Sequence, residues 1–153
     1  EVRAAGFMNR DPVRCLSVIA GAADTSLLIS KAFRPVLEAA SRRLASCGAG
    51  EFRVVGSPVR LPAAGDACGP LPERDKGACL DRVLEEAPRF RRALVIGDTE
   101  EDIPLFATAR GRLGEGAVYC LAVPARDVPV AEAADGAAPH WRTVRRWLAD
   151  PRR

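Results

Sequence analysis

The sequence predicts an α/β protein in two parts, and three observations carry that expectation. Short apolar runs of strand length alternate with stretches in which apolar residues recur at intervals of three and four. The run Ala93 to Ile96 is unbroken and apolar, as in a strand covered on both faces of a parallel sheet. Pro62, Pro70 and Pro72 interrupt both patterns, so a junction is expected near Pro72, dividing residues 1–72 from 73–153.

Taken in order, RCLSVIAGA (14–22) has the length and apolar content of a strand, and Asp24, Thr25 and Ser26 offer caps for a helix after it. That helix is expected over Leu27 to Leu44, where Leu28, Ala32, Phe33, Val36, Leu37, Ala40 and Leu44 mark one face, with Pro35 as a kink. EFRVVGSPVRLPA (51–63) reads as a hairpin bending at Gly56-Ser57-Pro58. Past the junction, Cys79, Leu80, Val83, Leu84 and Ala87 define a helix that Asp75 can cap and Pro88 ends. The strand Ala93 to Ile96 closes at Gly97. A helix over Ile103 to Arg110, a glycine-rich loop GRLGEG, a strand AVYCLAV and a last helix HWRTVRRWLAD complete a βαβα alternation.

Composition narrows the function. With 153 residues, 48% of them apolar and 28% charged, the chain can bury one core or a little more. A net charge of +3, with arginines scattered and no interleaved aromatics, argues against a nucleic-acid partner. No run reaches the roughly 18 to 20 apolar residues that span a bilayer, and EVRAAGFMNR is unlike a signal peptide. No membrane association and a cytoplasmic setting are therefore expected. Five cysteines with no CxxC pair, beside a single histidine, argue against a disulfide framework and a zinc site. The first residue is Glu1 and Met8 is the sole methionine, and the chain is expected to be a piece of a longer one.

The chemistry concentrates in GDTEED (97–102). Ligands of open parallel α/β sheets gather at the carboxyl ends of strands, and Asp98 is expected at such an end. Asp98 and Asp102, four residues apart, can face one point if the loop turns directly into a helix. Two hard oxygen donors with room for water suit Mg2+. The plainer alternative is an acidic helix start, with Asp98 as cap and Glu100 and Glu101 set against the helix dipole. Lys76, at the start of the preceding helix, could reach the same sheet edge, and a cation beside carboxylates suits phosphoryl transfer. Its plainer alternative is an exposed helix-start lysine.

RDKGACLDRVLEEAPRFRRALVIGDTEEDIPLF as a whole resembles the C-terminal signature of the haloacid dehalogenase superfamily of phosphatases. The resemblance makes Lys76 the lysine of the third motif and Gly97, Asp98 and Asp102 the GDxxxD of the fourth. It covers Asp75 to Asp150 and implies the C-terminal half of a Rossmann-like parallel sheet, preceded over 1–72 by part of an α/β cap. GDTEEDIPLF is similar to the GDSxNDxPML of mannosyl-3-phosphoglycerate phosphatases, and APHWRTVRRWL to their GPxGW segment. Trehalose-phosphate phosphatases are a second comparison, although their further aspartate after GD is Thr99 here. The implied activity is Mg2+-dependent hydrolysis of a phosphorylated sugar or glycosyl acid, with Lys76 catalytic and Asp98 and Asp102 holding metal. Arg53 and Arg60 would then reach substrate, or lie solvated on an edge strand.

The superfamily's first motif, DxDx(T/V), supplies the attacking aspartate and an acid/base aspartate, and it does not occur in this sequence. AADTSL is the nearest approach, with Ala22 in the nucleophile's place, Asp24 as acid/base and Ser26 for the threonine. Ser57 would then be the second-motif hydroxyl. The favoured expectation is that another chain or an upstream segment completes the site, and that this chain alone is inactive. A non-catalytic binding or assembly module of the same fold is the alternative. A receiver domain fits less well, because its acidic residues precede its lysine.

Overall fold

The computed structural model of the chain describes residues 10–48, 50–57, 76–86, 90–125 and 128–149. The fold is mixed α/β, its sheets are parallel, and the chain divides into two compact units, residues 1–74 and 75–153.

In the first unit, helix α1 (Arg10–Gly21) is followed by strand β1 (Ser26–Phe33), helix α2 (Arg34–Ser46) and strand β2 (Phe52–Ser57). The expected order of strand and helix is therefore exchanged. RCLSVIAGA is helical: Cys15 is buried, Val18 faces out, and the Ser17 hydroxyl donates to the Val13 carbonyl one turn back at 2.8 Å. A nine-residue apolar stretch suits either state, and Pro12, in the first turn where its missing N–H costs nothing, was the deciding signal. Asp24, Thr25 and Ser26 lead into β1 rather than into a helix.

LLISKAF is strand, because Pro35 stands in the first turn of α2 and begins that helix instead of kinking it. The buried face of α2 is Leu37, Ser41 and Leu44, while Val36 is exposed. The second half of the expected hairpin, residues 58–63, lies outside the described residues, and the first half is β2. It runs parallel to β1, from Ser26 opposite Phe52 to Phe33 opposite Ser57, with an irregularity between Ile29 and Phe33. Gly56 lies inside β2, where a Cβ would stand 2.6 Å from Leu37 Cδ1, so the glycine permits close packing of strand on helix. Pro58 to Arg74, with Arg60 and the proline-rich junction, fall outside the described residues.

The second unit runs α3 (Lys76–Glu86), β3 (Ala93–Gly97), a 3-10 turn (Glu100–Asp102), α4 (Ile103–Leu113), a second 3-10 turn (Glu115–Ala117), β4 (Val118–Ala122), α5 (Val128–Ala133), β5 (Gly136–Ala137) and α6 (Trp141–Ala149). Its sheet has the order β3-β4-β5, all parallel. Leu80 and Val83 of α3 and Leu105, Phe106 and Ala109 of α4 are buried, as are Val118, Cys120, Leu121 and Ala122 of β4. Three details depart from expectation. Leu94 is exposed, so β3 is not covered on both faces. The glycine-rich loop shrinks, since Gly111 to Leu113 continue α4 and Gly114, at φ 89°, ends it. α5 and β5 were not anticipated.

Arg110 organises that unanticipated stretch. Its guanidinium donates to the Ala133 carbonyl at 3.0 Å and to Asp135 Oδ1 at 2.9 Å. Asp135 Oδ2 accepts the Cys120 N–H at 2.6 Å, so one carboxylate joins the end of α4 to the middle of β4. That backbone bond, then Arg110, holds the Asp135 carboxyl below its usual pKa.

Candidate functional site

The site is assembled at the carboxyl end of β3. Gly97 ends the strand, and a Cβ there would stand 2.5 Å from Asp102 Cβ and 2.9 Å from its Cγ. Glycine is therefore required for Asp102 to fold back against the strand. The 3-10 turn makes that reversal, closed by the Asp102 N–H donating to the Thr99 carbonyl at 2.9 Å. Pro104, in the first turn of α4, then starts the helix.

Asp102 is buried, 4% exposed, and both its oxygens are engaged. Oδ1 accepts Lys76 Nζ at 2.5 Å, and Oδ2 accepts the N–H groups of Asp98 at 2.9 Å and Thr99 at 3.3 Å. Burying a lone charge is costly, and here an ammonium and two backbone donors offset that cost. The same clamp fixes the backbone from which the Asp98 side chain projects. Asp98 is exposed at the strand end, yet partial loss of hydration raises its pKa, and the neighbouring Asp102 carboxylate raises it further. Lys76 pulls in the opposite direction without cancelling them. A cation at Asp98 would relieve what raises it.

Lys76, Asp98 and Asp102 are thus brought to one place, with different parts to play than two equivalent ligands beside a lysine. Asp102 is a positioning residue committed to Lys76 and the loop, and Asp98 is the outward carboxylate. Its N–H bonds to Asp102, so Asp98 is held by the turn rather than acting as its cap. Lys76 is mostly covered, its side chain 13% exposed, which departs from a freely solvated helix-start lysine. Glu100 and Glu101 are exposed. What sequence reasoning missed is the reach of Asp102 back to the Thr99 N–H. The spacing Thr99-x-x-Asp102 is that of a capping box and was visible in the sequence.

Asp98 fits Mg2+ in kind, being an exposed carboxylate with water access, and Mg2+ asks for only one or two such donors. Among the described residues no group of three or more His, Cys, Asp or Glu could hold a metal, so Asp98 with Asp102 behind it is a partial donor set. Asp24 and Ser26 lie at the amino end of β1, the wrong end of a parallel strand for the first-motif role. Ser57 ends β2, and Arg53 is exposed on that strand. Among the described residues no helix is long and apolar enough to cross a membrane. Comparison with protein-family models, curated proteins and solved structures finds no match to this chain.

Proposed function

We propose that Lys76, Asp98 and Asp102 form the lysine-and-metal half of a phosphomonoester hydrolase site of the haloacid dehalogenase type. The substrate class is a phosphorylated sugar or glycosyl acid, in the cytoplasm, and a second segment or chain supplies the attacking aspartate. The observation that carries this reading is the buried 2.5 Å pair of Lys76 and Asp102, whose other oxygen holds the Asp98 and Thr99 N–H groups. An ammonium has three donors, and one goes to Asp102, leaving the rest for phosphoryl oxygens. Asp98, with Asp102 behind it, would hold Mg2+, which supplies neutralisation of phosphoryl charge when bound. Asp102 keeps the lysine aimed and fixes the loop that carries Asp98.

A second reading, a non-catalytic assembly module, is favoured by two observations. The sequence has no DxDx(T/V). Among the described residues β3 is also the outer strand of its sheet, bonded to β4 on one side. The test is release of inorganic phosphate from a panel of sugar phosphates with Mg2+, by this chain and by a longer protein that includes upstream coding sequence. The hydrolase reading expects turnover in the longer protein, abolished by Asp98→Asn, and none in the chain alone. Turnover by the chain alone contradicts the need for a second segment. Silence of both proteins favours the assembly module.

A further inference from the structure

We propose that Thr99 is a positioning residue whose hydroxyl holds the loop in the arrangement from which Asp98 meets a cation. This rests on the metal reading of the site, and the experiment that tests it separates the two.

Thr99 engages Asp102 in three ways. Its N–H donates to Asp102 Oδ2 at 3.3 Å, and its carbonyl accepts the Asp102 N–H at 2.9 Å. The two residues also form a capping box, in which the Thr99 side chain takes up the Asp102 N–H and the Asp102 side chain takes up the Thr99 N–H. The Asp102 N–H is therefore shared between two oxygens of one residue, a three-centre arrangement common at helix ends. Asp102 Oδ2 is shared as well, between the Thr99 N–H and the Asp98 N–H, the latter at 2.9 Å. Of these two bonds the one to Thr99 is the longer, and so the first to give way.

The remaining anchors of the turn do not use the hydroxyl. Lys76 holds Asp102 Oδ1, and Gly97 lets the Asp102 side chain lie against the strand. The carbonyl bond within the turn and Pro104 at the start of α4 also remain when the hydroxyl is removed. What loosens is the orientation of the turn towards Oδ2. The Thr99 N–H shares one rigid peptide plane with the Asp98 carbonyl and Cα, so a bond to that N–H fixes the backbone that carries the Asp98 side chain. The hydroxyl thus acts on Asp98 through Asp102 Oδ2 and this plane.

Two substitutions isolate the hydroxyl. Thr99 is exposed, in extended backbone at φ −135° and ψ 164°, which suits a β-branched side chain. Thr99→Val keeps the branch and removes the hydroxyl, whereas Thr99→Ser keeps the hydroxyl and removes the branch.

The test is amide hydrogen exchange without metal, followed by Mg2+ titration read at the Asp98 and Thr99 amide signals, in the native chain and both variants. In Thr99→Val these two amides should exchange roughly three- to tenfold faster, as for a lost capping hydroxyl, with the Val95 and Cys120 amides of the sheet unchanged. Apparent Mg2+ affinity should fall by a similar factor, because the competent loop is less populated. Thr99→Ser should stay within about twofold of the native chain in both measurements. Native exchange rates in Thr99→Val, acceleration spread equally to the sheet amides, failure of Thr99→Ser to restore native behaviour, or an Mg2+ affinity indifferent to Thr99→Val overturns the proposal. Local acceleration that Thr99→Ser reverses, in a native chain with no response to Mg2+, contradicts the metal reading instead and upholds the hydroxyl's hold on the loop.

Discussion

Two sets of ion pairs tie α3 to the segment around α4, and they are built in opposite ways. At one end Lys76 and Asp102 meet with side chains 13% and 6% exposed. At the other, Arg112 reaches Asp81 and Glu85 with side chains 45%, 40% and 61% exposed. An exposed pair exchanges one set of good interactions with water for another and contributes little. A covered pair is expensive to form, and breaking one partner is more expensive still. The lesson is that stability does not account for placing Lys76 and Asp102 out of water. Their geometry does, because the pair fixes the loop carrying Asp98, whereas Arg112 serves as a solvated strap between two helices.

The largest effect that would sharpen this contrast belongs to Asp102→Ala. It strands the Lys76 ammonium and frees the Asp98 and Thr99 N–H groups, and should cost about 3–5 kcal/mol by chemical denaturation. A loss no greater than for a surface residue would erase the distinction between the two sets. Gly97→Ala comes next, since its Cβ cannot clear Asp102 without moving it, and about 1–3 kcal/mol is expected, as for an overpacked core. The Asp98 and Thr99 amide signals should shift with it.

Arg112→Ala should give the smallest change. The hydrogen bond from Arg112 holds the Asp81 carboxyl below its ordinary pKa. A depressed carboxyl contributes stability that is present above its unfolded value, about 3.9, and lost as pH falls through the lower folded value. Denaturation followed across the acid range should therefore be slightly flatter in Arg112→Ala, and raising salt should shrink the difference. A large salt-resistant loss would mean that the exposed strap is no weaker than the buried pair.

The parts of the second unit nearest the site were legible because long patterns define them. α3 has a full amphipathic period through Leu80 and Val83, and β3 is an apolar run closed by glycine. α5 and β5 were not, since six residues and two residues carry no period to read. α1 and β1 exchanged states because a short apolar run fits either one, and the position of Pro12 and Pro35 relative to a helix start, not hydrophobicity, decides between them. The exposure of Leu94 depends on what covers the sheet, which no local pattern encodes. Within the site, spacing together with the motif resemblance brought Lys76, Asp98 and Asp102 into one hypothesis. It could not separate the outward carboxylate from the clamped one, because that difference comes from the reversal at Gly97.

If the buried pair exists to hold Asp98 for a cation, removing both charges together should leave the fold intact and the site impaired. The direct measurement is Mg2+ titration followed at the Asp98 and Thr99 amide signals, in the native chain, in Asp98→Asn, and in Lys76→Met combined with Asp102→Asn. Saturating shifts in the native chain, absent in Asp98→Asn and diminished in a still-folded double variant, are the predicted result. No response in the native chain, or an equal response in Asp98→Asn, would contradict it.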